Sequence, residues 1–153
     1  MLGVVASILY GASPDPLLRI QAEDGLILGS FRVPEGFRIT FIHSINLSPV
    51  DEVFSIAPDG TIILERMLFD QFSTGMPSGD DDGFVVKGGR FVTYPGRAMN
   101  EIALRVSPLA GHTMTIRGKT VPLTRWAGTG SLLRLRGLNH ASDKPQAIKI
   151  RGG

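Results

Sequence analysis

The sequence predicts an all-β fold, a single-domain antiparallel β-sandwich or partly open β-barrel of about ten short strands. Short apolar runs alternate with polar residues, as in strands that bury one face. Turn-forming residues, drawn from 19 Gly and 10 Pro, recur at roughly eight- to twelve-residue intervals. A chain of 153 residues suits one domain, and the absence of Cys excludes disulfides, thiolate metal sites and a cysteine nucleophile.

The turns divide the chain into strands in order. Gly-containing turns at 23–25, 34–36 and 58–60 mark three of the four boundaries between the first five apolar runs, and residues 117–119 form a tight hairpin turn. We predict strands at residues 17–21, 26–33, 37–45, 50–56, 61–69, 90–94, 101–107, 113–116, 120–126, 131–136 and 147–150. Residues 72–89, rich in Gly, Pro and Asp, are predicted to form an irregular exposed loop, and 95–100 a short helical turn.

The predicted hairpin 37–58 places one polar residue of each strand in an apolar row. Alternation puts His43 on the face of Phe41, and Glu52 on the face of Phe54. A short turn at 46–49 would set His43 directly opposite Glu52. A buried imidazole and a buried carboxylate must satisfy each other, so the pair either stabilises the register or lines a pocket for a small polar ligand.

Residues 1–12 contain an apolar stretch that is too short to span a bilayer and lacks the basic start of a secretory signal. We predict that they are the remnant of a hydrophobic signal or anchor segment, the alternative being an ordinary first strand. The single β domain then comprises residues 13–153. On this interpretation the protein is exported or membrane-tethered.

Charge is distributed unevenly along the chain. Residues 1–101 carry 7 Lys and Arg against 13 Asp and Glu, whereas residues 102–153 carry 9 against 1. Either strands of both halves interleave and neutralise one another, or a basic face meets an anionic membrane surface or an acidic partner. The candidates for that face are Arg105, Arg117, Arg134 and Arg136. Nucleic acid is excluded as a partner, because these arginines form no dense run and Trp126 is the single Trp.

No pattern of residues indicates an enzyme. Ser44 follows His43 on a strand and therefore points to the opposite face, which excludes a Ser–His pair there, and no G-x-S-x-G motif occurs. The three His are far apart in sequence, and the acidic run 80–82 lacks the spacing of a calcium loop. Phosphate-binding glycine motifs do not occur. We therefore predict no catalytic residues, no metal and no cofactor.

Three stretches resemble one known family. These are FIHSINLSPVDEVFSI at 41–56, FDQFSTGMP at 69–77 and GHTMTIRGKTVPL at 111–123. Together they are similar to the domain of unknown function 1850 (DUF1850) family over about residues 17–136. The motif positions that we take as candidate ligand-binding residues are His43, Ser44, Pro49, Glu52, Phe72, Gly75 and Pro77. The chain departs from the family at its N-terminus, where relatives begin with a full hydrophobic segment.

The resemblance implies a small bacterial or archaeal envelope protein. Relatives are usually encoded beside the TAXI type of tripartite ATP-independent periplasmic (TRAP) transporters. The implied role is that of a non-enzymatic accessory to solute uptake on the periplasmic side, contacting the solute-binding protein or the permease. The loop 72–89 is then the predicted contact, and a ligand pocket around His43 and Glu52 is the alternative function.

Overall fold

The computed structural model of the protein describes residues 15–71 and 83–139. These residues form almost only β-strands, with one short 3₁₀ helix at Leu123–Arg125. In chain order the strands of the described residues are β1 Leu17–Ala22, β2 Ile27–Arg32, β3 Phe37–Ile42, β4 Pro49–Ile56, β5 Ile62–Phe69, β6 Phe84–Lys87, β7 Arg90–Thr93, β8 Arg97–Met99, β9 Ile102–Arg105, β10 Thr113–Ile116, β11 Lys119–Pro122 and β12 Leu132–Leu138. No helix in this part of the chain has the length and apolar character needed to cross a membrane.

The strands form two antiparallel sheets. Sheet A has four strands in the order β2-β1-β12-β9. Sheet B has eight, in the order β11-β10-β3-β4-β5-β7-β6, with β8 also pairing with β5. Among the strands that the structure describes, each sheet keeps two edges and neither closes on itself, so the all-β prediction is confirmed as a sandwich and not as a barrel.

The core lies between the sheets and follows from the alternation of each strand. Leu18 and Ile20 of β1 and Leu133 and Leu135 of β12 have no exposed surface, while the residues between them point to the opposite face. They belong to the same buried cluster as residues of sheet B such as Met114, which is also fully buried. One continuous apolar layer therefore joins the two sheets.

Two close backbone contacts require glycine. Gly36, just before β3, has φ +78°, and a Cβ there would lie 1.9 Å from the carbonyl oxygen of Phe54. Gly137 of β12 packs against the β4–β5 turn, where a Cβ would lie 2.2 Å from the carbonyl oxygen of Gly60. The second contact joins the end of sheet A to a turn of sheet B, and a side chain at either glycine would separate backbones that now touch.

Three local predictions are wrong. The end of the predicted irregular loop 72–89 is strand β6, which forms a hairpin with β7 through Gly88 and Gly89, both at positive φ. The predicted helical turn 95–100 contains strand β8 instead, because β7 covers only residues 67–69 of β5 and leaves 62–64 for β8. The strand predicted to reach residue 126 ends at Pro122, where the 3₁₀ helix begins. The predicted segments 1–12 and 147–150 lie outside the described residues.

Candidate functional site

The β3–β4 hairpin has a different register from the predicted one. Ile39 pairs with Glu52, and Phe41 pairs with Val50. The connection between the strands spans residues 43–48 in place of the predicted turn 46–49. His43 therefore does not lie opposite Glu52, and the predicted facing pair is wrong. The offset is four residues, an even number, so every strand residue still points to its predicted face.

Backbone hydrogen bonds close the connection 43–48 and explain why β3 ends early. The amide of His43 donates to the carbonyl of Ser48, and the amide of Leu47 donates to the carbonyl of His43, both at 2.9 Å. Leu47 has φ +52°, which turns the chain back toward β4. Half-buried His43 accepts a hydrogen bond at Nδ1 from the amide of Ile45 at 3.4 Å. His43 and exposed Ser44 are thus parts of a turn, and Pro49 is the first residue of β4.

Large apolar side chains are exposed around this turn. The exposed fraction is 65% for Ile45, 76% for Leu47 and 91% for Leu109, which lies in the connection 106–112 between β9 and β10. A hydrogen bond of 2.7 Å from the amide of Ile42 to the carbonyl of Ala110 holds the two connections side by side. We call the group Ile42, Ile45, Leu47 and Leu109 the apolar end of sheet B. Several exposed apolar side chains on neighbouring connections are typical of contact sites on proteins.

Glu52 lies in the apolar row, as predicted, but without the imidazole. It stands between Val50 and Phe54, both almost fully buried. Burial raises the pKa of Glu52 above its ordinary value, and the positive charge of Arg97 offsets only part of the increase. Within residues 15–71 and 83–139, no group donates a hydrogen bond to this carboxylate. Glu52 is thus a carboxylate in an apolar setting.

On the opposite face of sheet B, a polar network spans four neighbouring strands, β3, β4, β5 and β7. Arg90 of β7 donates to Asp51 of β4 at 2.5 Å and to Asp70 at 2.6 Å. Its remaining Nη group donates to the carbonyls of Pro49 and Leu68 at 2.9 and 3.1 Å. The hydroxyl of Thr40 in β3 donates to Asp51 at 2.5 Å. Sequence reasoning missed this network, because Arg90 and Asp51 are far apart along the chain and only the strand order brings them together.

The network determines the charge state of Asp51. Burial by itself would raise the pKa of this carboxyl, but the hydrogen bonds from Thr40 and Arg90, with the charges of Arg90 and Arg38, lower it overall. Asp51 is therefore ionised at neutral pH, although only 9% of its surface is exposed. The guanidinium group of Arg90 is likewise engaged within the network, since it donates hydrogen bonds to four acceptors.

The predicted basic residues do not form one face. Arg105, Arg134 and Arg136 lie on the outer face of sheet A, whereas Arg117 lies in the β10–β11 turn of sheet B. Arg134 and Arg136 both bind Glu101, and this pairing lowers the pKa of the carboxyl.

The other two arginines also have partners within the chain. Arg105 donates to the carbonyl of Gly130 at 2.6 Å, and Arg117 pairs with Asp15 at 3.3 Å. Much of the local positive charge is therefore neutralised by interleaved strands, which was the alternative interpretation of the charge asymmetry.

The remaining candidate residues Phe72, Gly75 and Pro77 lie outside the described residues. Among the residues that the structure describes, no group of three or more His, Asp or Glu side chains is arranged to hold a metal ion.

Comparison with known proteins gives one match. The family model "Domain of unknown function (DUF1850)" matches residues 37–123. No curated protein and no solved structure matches the chain. The matched region begins at β3 and contains the apolar end, Glu52 and the Arg90 network, whereas β1, β2 and β12 lie outside it. Because the match covers more than half of the sequence, the chain belongs to the DUF1850 family.

Proposed function

We propose that the protein is a non-enzymatic interaction domain of the cell envelope, and that it contacts a subunit of a TAXI-type TRAP transporter through the apolar end of sheet B. The observation that carries this proposal is Leu47. Its side chain is 76% exposed and its backbone adopts a left-handed conformation at φ +52°. That conformation costs a residue other than Gly, Asn or Asp about 1–2 kcal/mol.

At 76% exposure, the leucine side chain offers folding little to offset this strain. Glycine or asparagine would make the same turn at lower cost, and the exposed leucine buries little apolar surface. Ile45 and Leu109 extend the same exposed surface from two connections. Strained backbone and exposed apolar side chains at one place are typical of a binding surface.

The chemistry of the apolar end favours a protein partner over a lipid surface. Neither connection 43–48 nor 106–112 contains Lys or Arg. Segments that bind anionic membranes combine apolar side chains with basic ones, so this surface lacks half of what lipid binding needs. An apolar patch surrounded by polar turn residues suits a hydrophobic groove on another protein.

Family membership supports the choice of partner. The apolar end lies entirely within the matched residues 37–123. The resemblance to DUF1850 implies a gene beside a TAXI-type TRAP transporter, and therefore the solute-binding protein or the permease as partner. The periplasmic side of the envelope is the location that this partnership requires.

The test is affinity purification of the tagged full-length protein from native membranes in mild detergent, with mass spectrometry of what is recovered. We expect a transporter subunit with the wild-type protein. Leu47→Asn, which keeps the left-handed turn and removes the apolar side chain, should reduce recovery at least about ten-fold, as should Leu109→Asn.

Leu26→Asn is the matched control, since Leu26 is 39% exposed between β1 and β2 of sheet A, outside both the apolar end and the segment 72–89. It should leave recovery unchanged. Recovery of the protein alone would count against the transporter partnership. Equal recovery with wild type and Leu47→Asn would show that the contact lies elsewhere on the molecule.

A further inference from the structure

A half-open cleft of about 700 Å³ lies where the edges of the two sheets meet. Strand β2 forms one side, and the β10–β11 hairpin with the 3₁₀ helix that follows it forms the other. The volume falls within the range of small-molecule sites, about 300–1,000 Å³. The cleft is separate from the apolar end and independent of the proposed transporter contact.

The interior of the cleft is apolar. Trp126 and Phe31 meet edge to face, with ring centroids 5.7 Å apart and planes at 72°. Fully buried Met114 also contributes to the lining. The Phe31 ring packs close to Gly29, and a Cβ at residue 29 would lie only 2.8 Å from the ring. The absence of a side chain at Gly29 therefore allows the ring to occupy this position. The backbone amide of Trp126 donates a hydrogen bond to the carbonyl of Leu123 at 3.1 Å, which positions the backbone at Trp126.

Four cationic side chains surround this interior, namely Arg32, Arg117, Lys119 and Arg125. Of these, Arg117 pairs with Asp15 at 3.3 Å. Among residues 15–71 and 83–139, no carboxylate pairs with Arg32, Lys119 or Arg125. Within this described part of the chain, three exposed positive charges therefore have no carboxylate partner at the edge of an apolar cleft. This contrasts with the outer face of sheet A, where Glu101 binds two arginines.

We propose that this cleft binds a small amphipathic carboxylate, whose apolar part lies against Phe31 and Trp126 and whose anionic group is held by Arg32, Lys119 and Arg125. Each half of the cleft selects one half of such a ligand. The apolar interior excludes fully hydrated anions, which would lose water without gaining contacts. The cations favour a carboxylate over a neutral amphiphile, because charge-assisted hydrogen bonds are the stronger ones.

The chain provides its own reporter for this site, since Trp126 is its single tryptophan. We would titrate the full-length protein with decanoate in detergent-free buffer, below the concentration at which decanoate forms micelles, and follow Trp126 emission. A saturable change in emission is expected. In the series hexanoate, octanoate, decanoate, each added pair of methylenes should tighten binding by up to about fifteen-fold, the limit for full burial.

Charge recognition is tested with variants and with neutral ligands. Arg125→Gln and Lys119→Gln should each weaken decanoate binding about ten-fold. Arg66→Gln is the matched control, since it removes the same charge from β5, three strands away from β10 in sheet B. 1-Decanol and acetate, which each carry one half of the proposed ligand, should both bind at least about ten-fold more weakly than decanoate.

Four results would overturn the proposal. One is an emission that decanoate leaves unchanged. Another is equal affinity of Arg125→Gln and Arg66→Gln, or of decanol and decanoate, because the cations would then play no part. A change in emission that accompanies loss of the β-sheet circular dichroism signal would show denaturation by a detergent. Finally, a response to phosphatidylglycerol vesicles without a response to decanoate would show that the cleft recognises a lipid surface.

Discussion

Arg90 should be one of the most important polar residues for stability, and Arg90→Met tests this directly. The substitution keeps an unbranched chain of similar length but removes all hydrogen bonds to Asp51, Asp70 and the carbonyls of Pro49 and Leu68. Asp51 is then left with Thr40 as its hydrogen-bond donor and Arg38 at 3.9 Å.

The magnitude follows from the burial of the two partners. Removing one partner of a fully buried ion pair costs about 3–5 kcal/mol. Here the side chains of Arg90 and Asp51 are 26% and 13% exposed, so solvent screens part of the interaction. We therefore expect the free energy of unfolding to fall by about 2–4 kcal/mol. For a domain of this size, that lowers Tm by roughly 6–12 °C.

The assay is urea unfolding followed by circular dichroism, at several pH values. Because the pKa of Asp51 is lowered in the folded protein, its stabilising contribution is present above the ordinary carboxyl pKa and disappears as the pH falls through the folded pKa. Without Arg90, its hydrogen bond and charge no longer lower the pKa of Asp51, so that pKa should rise. The difference between wild type and Arg90→Met should therefore be largest at neutral pH and shrink as the pH falls below about 4.

Two comparisons complete the experiment. Arg66→Met, on neighbouring β5 and exposed, should change stability by less than about 0.5 kcal/mol. The double variant Arg90→Met with Asp51→Asn should be less destabilised than the sum of the two single changes, because the unpaired charge is gone. A loss below about 1 kcal/mol in Arg90→Met, or a loss that does not vary with pH, would refute the reasoning.

Three further predictions concern single residues. Glu52→Gln should raise the free energy of unfolding by roughly 1 kcal/mol at neutral pH, since burial penalises the carboxylate. Because the pKa of Glu52 is raised in the folded protein, this gain should be absent below the unfolded-state pKa and should grow as the pH rises through the folded-state pKa. A gain that does not vary with pH in urea unfolding would contradict this explanation. Gly36→Ala should lower the free energy of unfolding, measured in urea, by about 2–4 kcal/mol. Gly25→Ala, at a similar φ of +87° but with open space around it, should lower it by about 1 kcal/mol. Equal losses in the two variants would exclude a clash with Phe54. Leu47→Gly should leave stability unchanged or raise it by up to about 1 kcal/mol, because the strain disappears, and a fall in Tm would show that the leucine stabilises the fold.

The candidate site shows how far sequence reasoning reaches. The inward positions of Glu52 and Phe54 could be predicted, because strand residues alternate between faces whatever their partners are. The position of His43 could not be predicted, because a shift of four residues leaves every side chain on the same face of the sheet. The hydrophobic pattern is therefore equally compatible with both registers. The hydrogen bonds of the connection 43–48 and the left-handed Leu47 decided between them.

By itself the sequence determined the fold class, the buried face of most strands and most of the turns, because these depend on residues close together along the chain. Only the tertiary structure decided which strands are neighbours. It placed β1 beside β12, joined Asp51 to Arg90, and brought β2 against the β10–β11 hairpin to form the basic-edged cleft. The physical reason is that pairings between distant strands depend on how two whole sheets bury a common core, and no local pattern contains that information.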